Sequence, residues 1–306
     1  MENLAVLTDN FGAKSCDSLL EDFEPCERSL VSIQPRFRRC LSLIMNSSEL
    51  PMQGGLHTVS RSKVGVFICS SDSRRDILER VLPSIFKYWP DCPYPIYVGL
   101  NSFHKIWPGI TPLVAKASEW RKECLEQVAQ MSETHLIVLL DDFLFQEPVD
   151  QSRLSMFVSK TVNSDLPYLR LLPLGKSLTQ RLMRLPRAGS VFGVEAIEER
   201  RPFYSGLQIA IWNKAHFSSL LELQGSIWDF EHQQRPGVSH YAITNRAPIT
   251  YRHLVERGRW LPYAKSLLEQ TGLSTDLGTR PILKKWMSFR LLLDAVRYYV
   301  LGYANH

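Results

Sequence analysis

Two groups of acidic side chains are the strongest chemical signal in the sequence. Asp141 and Asp142 follow an apolar run at 135–140 that has the length of a buried strand. Carboxylates at the end of a strand can hold a divalent cation together with phosphate oxygens. Asp229 and Glu231 stand beside two aromatic residues, and a carboxylate near a helix start can accept a proton from a hydroxyl. Aromatic side chains next to such an acid suit a sugar substrate.

Both groups also have a purely structural interpretation. An aspartate at the end of a strand often caps the turn that follows it. In the second group, Trp228 would lie in the core and Glu231 would serve as the capping partner of Ser226 at the start of a helix. The residue types alone do not decide between these roles, so the elements around them matter.

The elements that would position these residues are those of an α/β fold. A continuous apolar run such as 135–140 is typical of a strand buried on both faces, which favours parallel pairing with helices above and below. Periodicity predicts strands at 64–69, 96–100, 135–140, 168–172 and 207–212. It predicts helices within 77–86, 118–131, 151–162, 216–223 and from 226 onward.

Composition excludes several classes of protein. The 306 residues are 44% hydrophobic and 22% charged, which rules out collagen-like, low-complexity and wholly disordered chains. We expect a cytoplasmic protein, because no uncharged apolar run is long enough to span a bilayer and the first residues lack the pattern of a secretion signal. The six cysteines contain no C-x-x-C pair, which favours reduced thiols over a zinc site.

The chain is predicted to have three parts. Residues 1–61 form a partly irregular extension; residues 1–60 hold five Lys/Arg against eight Asp/Glu, whereas the whole chain has a net charge of +5. Residues 62–280 form the enzyme domain, and residues 281–306 an amphipathic C-terminal helix. That helix carries aromatic and basic residues, so it would either dock on the core or lie on an anionic membrane surface. A basic cluster at 176–187 would face an acidic acceptor or phospholipid, or would be a solvated loop.

The order of these motifs resembles the nucleotide-sugar glycosyltransferases of the GT-A type, and more narrowly the bacterial enzymes that build surface polysaccharides and lipopolysaccharide. The resemblance spans about residues 62–280. It rests on short segments at 64–73, 94–102, 136–145, 206–214, 226–231 and 255–260. It implies a Rossmann-like, mostly parallel mixed sheet flanked by helices, in a single large domain with an N-terminal extension and a C-terminal helix.

The resemblance also implies a nucleotide-sugar donor bound with Mg2+ or Mn2+ at the carboxyl edge of the sheet. By position, Asp142 would be a metal ligand and Asp141 a contact to the ribose or the donor sugar. His253 stands where many such folds supply a late metal or phosphate ligand, although a lone histidine is often a plain surface or core residue. The chain departs from the usual Asp-x-Asp spacing because Leu140 occupies the first acidic position.

The remaining site residues follow from the same resemblance. In an inverting enzyme one carboxylate deprotonates the attacking hydroxyl, with Glu231 the first choice and Asp229 the second. Arg257 and Arg259 would neutralise the leaving diphosphate, or would simply be exposed to solvent. Ser70 and Asp72 follow the first strand, where the family places its nucleobase contacts, but any strand-to-helix turn uses such residues as caps. The sequence thus leaves both a functional and a structural role open for each of these residues.

The predicted function is transfer of a sugar from a nucleotide sugar to a saccharide or lipid-linked acceptor in surface polysaccharide biosynthesis, with peripheral contact at the inner face of the membrane. A metal-dependent nucleotidyltransferase, phosphotransferase or hydrolase would also use acids at strand ends. The sequence contains neither G-x-x-x-x-G-K-[ST] nor H-x-x-x-H, which such enzymes often carry. A basic nucleic-acid-binding protein is the non-enzymatic alternative; no binding motif supports it, so we expect no nucleic-acid partner.

Overall fold

The described part of the chain forms an eight-stranded mixed sheet flanked by helices. The structure, a computed structural model, describes residues 63–102, 107–174, 193–199, 203–284 and 287, and all of them belong to one compact unit. In chain order the strands of this sheet are β1 (Val64–Cys69), β2 (Ile96–Leu100), β3 (Ile110–Val114), β4 (His135–Leu140), β6 (Tyr168–Arg170), β7 (Val194–Ala196), β8 (Ala210–Asn213) and β9 (Tyr241–Ile243). The α/β fold class predicted from the sequence is therefore confirmed.

The sheet is parallel in one half and mostly antiparallel in the other. Its strand order is β3-β2-β1-β4-β8-β6-β9-β7. Strands β3, β2, β1 and β4 are parallel to one another, as are β6 and β9. Strand β4 pairs in parallel with β1 but antiparallel with β8, so the expectation of parallel pairing for 135–140 is correct on one side only. A continuous apolar run indicates that a strand is buried on both faces. It does not determine whether the adjacent strand runs parallel or antiparallel.

Helices cover both faces of the sheet. They are α1 (Arg75–Tyr88), α2 (Trp120–Ala129), α3 (Gln151–Asn163), α4 (Lys214–Leu221), α5 (Ile227–Phe230) and α6 (Ala264–Gln270), and a 3-10 turn (Asp72–Arg74) leads into α1. Side chains of β1 alternate between two apolar cores, as the period of a strand requires: Val64, Val66 and Ile68 contribute to one, and Phe67 and Cys69 to the other. Helices α1 and α3 pack into the first core, and α2 and α4 into the second.

In the described residues, two small two-stranded sheets lie beyond the carboxyl end of β4. Strand β5 (Phe143–Phe145) pairs antiparallel with β10 (Tyr251–His253), and β11 (Val255–Glu256) pairs with β12 (Arg259–Trp260). None of these strands exceeds three residues, which is too short for a periodic pattern to identify. They matter because they carry chain segments from far along the sequence to the end of β4.

Several predictions fall outside the described residues. These are the extension at 1–61, the basic cluster at 176–187 and most of the C-terminal helix predicted at 281–306. The three-part division of the chain therefore stays a prediction. Among the residues that the structure does describe, no helix has both the length and the apolar character needed to cross a bilayer.

A buried histidine pair links α4 to the segment before β9. The Nε2 atoms of His216 and His240 lie 2.7 Å apart, and Nδ1 of His240 lies 3.0 Å from the backbone oxygen of Tyr204. A carbonyl only accepts, so His240 donates through Nδ1 and accepts a hydrogen bond from His216 at Nε2. The pKa of each imidazole is lowered to about 4, mainly by burial and, for His216, also by the nearby charge of Arg235.

We expect this pair to make folding stability depend on pH. Between pH 6.5 and 4 the unfolded chain binds protons that the folded chain excludes, so the stabilisation is complete above pH 6.5 and is lost as the pH falls towards 4. The contribution of fully buried His240 is up to about 3 kcal/mol, and that of half-buried His216 is smaller. Urea unfolding at pH 7 and pH 5 measures it. A variant with both histidines replaced by Gln should lose this part of the pH dependence. If its unfolding free energy changed with pH as much as that of the wild type, the prediction would be wrong.

Candidate active site

A cavity of about 350 Å3 opens at the carboxyl end of β1 and β4. Strand β8 runs antiparallel to β4 and pairs Ala210 with Val138, so residues that precede β8 lie beside residues that follow β4. The volume suits a small ligand. The cavity is lined by residues 69–71, Arg74, Trp120, Glu123, residues 140–142, Leu207, Gln208, Ile227, Trp228, Glu231, His253 and residues 255–258. Asp141, Asp142 and Glu231 thus share one cleft.

Asp141 is held by a guanidinium that the sequence reading did not identify. Arg74 donates from Nε to Oδ2 at 2.6 Å and from Nη2 to Oδ1 at 2.7 Å, and the Ser70 hydroxyl donates to Oδ2 at 2.7 Å. Burial raises the pKa of Asp141, and the charge of Arg74 counters that rise. Burial alone would lower the pKa of Arg74, but Asp141 more than offsets this and raises it. Arg74 is therefore a permanent cation at the wall of the cavity.

Asp142 is paired with His253 across the small sheet of β5 and β10. The register places His253 opposite Phe143, and the Leu254 amide donates to the Asp142 backbone oxygen at 3.1 Å. Nδ1 of His253 lies 3.3 Å from Oδ2 of Asp142. Burial alone would raise the pKa of Asp142, but His253, Arg74 and the Val255 amide lower it below its usual range. Asp142 is thus an ionised carboxylate inside a buried wall.

The donor set for a divalent cation is small. Asp142 and His253 are adjacent, whereas both carboxylate oxygens of Asp141 already accept hydrogen bonds from Arg74. Within the described ranges no group of three or more His, Cys, Asp or Glu side chains is placed to hold a metal ion. A cation bound mainly by substrate phosphates and water needs only one or two protein ligands. The residues present fit that mode, with Asp142 and His253 as the ligands.

The two acids of the second group have different surroundings. Ser226 is the N-cap of α5, and Oδ2 of Asp229 accepts hydrogen bonds from its amide at 2.6 Å and its hydroxyl at 2.7 Å. The capping role that the sequence also allowed for Glu231 is therefore filled by Asp229. Glu231 lines the cavity, and its Oε1 accepts a hydrogen bond from the Leu207 amide at 3.0 Å. Glu231 is the acid of this group that a substrate in the cavity would meet.

Arg257 and Arg259 also differ in position. Arg257 and Gly258 are the two central residues of the turn between β11 and β12, and both have positive φ, 49° and 72°. This is the backbone of a tight two-residue hairpin turn. Arg257 and Gly258 line the cavity, whereas Arg259 lies on β12 opposite Glu256 and is not part of the cavity wall. The turn therefore directs one of the two predicted phosphate ligands to the cleft.

Ser70 and Asp72 contact the site in different ways. Ser70 lines the cavity and orients Asp141. Asp72 accepts hydrogen bonds from the Asn101 amide and the Ser102 hydroxyl and so joins the ends of β1 and β2. The side chain of Asn101 in turn donates to Glu123 at 2.6 Å, and Glu123 does line the cavity. The role of Asp72 as a nucleotide contact stays a prediction, with this bonding network as its structural setting.

Arg121 fixes the segment that carries Glu231. Its guanidinium is buried and donates to the backbone oxygens of Leu220 at 2.7 Å, Gly225 at 2.6 Å and Ser226 at 3.1 Å, and to the side chain of Gln233 at 2.9 Å. These bonds tie α5 to α2 and α4. The sequence analysis did not identify Arg121, Arg74 or Gln208, because contacts with residues distant in the sequence leave no local pattern. For Arg74 there was a weak signal, a basic residue in the first turn after β1.

Comparisons with known proteins give only distant likenesses. No protein-family model matches the chain, and no curated protein matches it. Among solved structures, S. aureus TarS 1-349 is 12% identical with a TM-score of 0.37, over 62% of this chain and 59% of that one. S. aureus TarS 1-349 in complex with UDP is 13% identical with a TM-score of 0.40, over 78% and 72%. A longer S. aureus TarS structure is 13% identical with a TM-score of 0.39, over 78% and 44%.

The chain thus spans about three fifths of the first of these structures. All three TM-scores are below 0.5, so the likeness to TarS carries no conclusion about activity. The activity of this chain has to be inferred from its own cleft.

Proposed function

We propose that the chain is a glycosyltransferase that moves a sugar from a nucleotide-sugar donor to a saccharide or lipid-linked acceptor. The observation that supports this is the convergence of Asp141, Asp142 and Glu231, which are far apart in sequence, on one cavity. Two arginines, Arg74 and Arg257, line the same cavity. A cleft with an anion-binding wall and a separate carboxylate has the components for displacement of a diphosphate by a hydroxyl.

Two parts of the cavity lining differ in chemistry. Arg74, Arg257, His253 and Asp142 are charged or titratable and come from the turn after β1, from the end of β4 and from the hairpins. Guanidinium groups bind phosphate oxygens well, so this side suits the diphosphate of the donor. The other side comes from α5 and from the residues before β8, and it contains Glu231. We assign that side to the acceptor.

In the proposed reaction Glu231 acts as the general base. Its carboxylate takes the proton of the acceptor hydroxyl as the oxygen forms a bond to the anomeric carbon. The bond between that carbon and the diphosphate oxygen breaks, and the electron pair leaves with the diphosphate. Arg257 and Arg74 stabilise the charge that develops there. Attack opposite the leaving group inverts the anomeric configuration.

The chemistry that Mg2+ or Mn2+ would add, when bound by Asp142 and His253, is further neutralisation of the diphosphate. Ser70 orients Asp141, and Asp141 holds Arg74 in place, whether or not Asp141 also contacts the ribose. On the resemblance in motif order, we propose that the enzyme acts in bacterial surface polysaccharide biosynthesis. We propose residues 62–280 as its catalytic domain, in the cytoplasm, with the C-terminal helix as a peripheral membrane contact.

A panel of nucleotide sugars tests this function. We expect at least one UDP-, GDP-, dTDP- or CMP-sugar to raise the melting temperature and to be hydrolysed slowly in the absence of acceptor, with a higher rate in Mn2+ than in EDTA. Binding by a ligand at 100 times its Kd stabilises the folded state by about 2.7 kcal/mol, which a melting curve resolves readily.

Duplex DNA and ATP serve as controls in the same assay. Stabilisation by DNA alone would favour the nucleic-acid-binding alternative. Release of diphosphate or phosphate from ATP without any reaction of a nucleotide sugar would favour a nucleotidyltransferase or phosphotransferase. Absence of any nucleotide-sugar effect on melting temperature and hydrolysis would reject the proposed function.

A further inference from the structure

We propose that Trp228 is the binding platform of an acceptor subsite that takes the flat face of a pyranose ring. This inference rests on the proposed function, because it names the class of acceptor. It is argued from the exposure of Trp228, from the rigidity of the turn that presents it and from the composition of the cavity around it.

Trp228 is an exposed aromatic side chain inside a cleft. Its relative exposure is 49%, although most large aromatic side chains in the described residues are buried, and it lines the cavity. A large apolar surface left in contact with water inside a concave site is a typical mark of ligand binding. The indole has an apolar face that can cover the C–H groups of a sugar and an N–H that can bond a hydroxyl.

The turn that presents Trp228 is fixed before any ligand arrives. Ser226 and Asp229 form a reciprocal capping box around the first turn of α5. Phe230 is fully buried and packs edge-on against Trp120 with ring centroids 5.4 Å apart. Arg121 holds the backbone just before the helix, as described above. A preorganised aromatic platform loses little conformational entropy when a ligand binds, which favours affinity.

Trp228 and Glu231 face the same space. They are three positions apart in the sequence, and Glu231 continues the helical backbone of α5 with φ −65° and ψ −15°. Residues three apart on a helical turn are neighbours on one side of it. Both line the cavity. A ring placed on the indole would therefore carry its hydroxyls within the region served by the proposed base.

The neighbouring wall suits an uncharged ring. The segments that precede β8 and begin α5 also contribute Leu207, Gln208 and Ile227 to the cavity lining, and these supply apolar surface and one amide. The Leu207 amide donates to Glu231. The arginines of the cavity belong to other segments, after β1 and in the β11–β12 turn. A pyranose presents a patch of C–H groups on one face and hydroxyls at its edge, whereas a linear polyol has no such fixed apolar face. The geometry therefore favours a cyclic sugar over a polyol chain.

Saturation-transfer NMR and titration of three probes test the subsite directly: methyl β-glucoside, methyl β-galactoside and N-acetylglucosamine, with sorbitol as the linear comparison. We expect Trp228→Ala to weaken binding of at least one pyranose by about tenfold, an effect of the size that aromatic contacts give. Trp228→Phe should restore most of it. The matched control is Phe86→Ala, which removes an exposed aromatic side chain of α1 that does not line the cavity.

Three results would overturn the proposal. They are equal pyranose binding by wild type and Trp228→Ala, equal binding of sorbitol and the pyranoses, and no pyranose binding by the wild-type chain. Circular dichroism of each variant shows that it is folded. The nucleotide-sugar panel is a separate measurement. If pyranose binding depends on Trp228 but no nucleotide sugar binds or reacts, the subsite stands and the transferase activity is rejected. If Trp228→Ala keeps its turnover with an unchanged KM for the acceptor, the transferase activity stands and the Trp228 subsite is rejected.

Discussion

Replacing Glu231 by Gln is expected to lower the turnover of a nucleotide sugar by roughly 100- to 10,000-fold, the range for loss of a general base. Gln keeps the size of the side chain and an oxygen that can accept the hydrogen bond of the Leu207 amide, so the fold around α5 should persist. The nucleotide should bind with unchanged affinity if Glu231 belongs to the acceptor side, as we propose. Single-turnover rates with the active donor, and nucleotide titration by calorimetry, measure the two quantities.

Two further variants sharpen this test. Asp229→Asn distinguishes the second candidate base: since Asp229 caps α5, we expect a loss of stability of about 1 kcal/mol and a much smaller loss of rate than for Glu231→Gln. Glu222→Gln alters an exposed acid after α4 that does not line the cavity and should change neither quantity. A larger rate loss for Asp229→Asn than for Glu231→Gln would exchange the two assignments.

The choice between these two acids shows where sequence reasoning stopped. Both stand in the first turns of a predicted helix, and both aromatic neighbours fit either role. The spacing of Ser226 and Asp229 is that of a capping box, S-x-x-D, which is the local signal that could have assigned the cap. The orientation of Glu231 had no such signal, because it depends on the Leu207 amide in a distant segment.

The main strands were accessible from the sequence for a physical reason. Runs such as 64–69 and 135–140 are buried on both faces, so nearly every residue is apolar and the pattern is unmistakable. Strands β5 and β10 have three residues each, and their pairing places His253 beside Asp142. Contacts of this kind arise from tertiary packing, and no local periodicity encodes them.

Arg74 illustrates the same limit at the level of one side chain. It follows the predicted strand-to-helix turn and adjoins Arg75, so composition treats the two arginines alike. In the structure Arg74 binds buried Asp141 through two hydrogen bonds, whereas Arg75 forms a partly exposed pair with Glu79 at 3.3 Å. A difference of one position along the turn therefore separates a cavity residue from a surface residue. Arg75 therefore offers a matched control for the replacement of Arg74.

Arg74→Met is expected to cost about 2–3 kcal/mol of unfolding free energy and to weaken nucleotide binding roughly 10- to 100-fold. Removing one partner of a buried pair leaves an uncompensated charge, and the effect here is reduced because the Arg74 side chain is 33% exposed. Nε and Nη2 of Arg74 bond Asp141, and within the described residues Nη1 has no such partner. Nη1 can therefore donate to a phosphate oxygen, and the loss of this charge-assisted bond is the reason for the expected loss of nucleotide affinity.

A double variant separates stability from binding. Replacing Arg74 by Met and Asp141 by Leu together removes both charges, so most of the lost stability should return, as it does when buried ion pairs are exchanged for apolar pairs. The nucleotide affinity should stay low, because the cation is still missing. Arg75→Met should leave both quantities within the small range of exposed pairs. If the double variant recovered nucleotide binding, Arg74 would be only a structural partner of Asp141, and the anion-binding wall would have to be built from Arg257 and His253 alone.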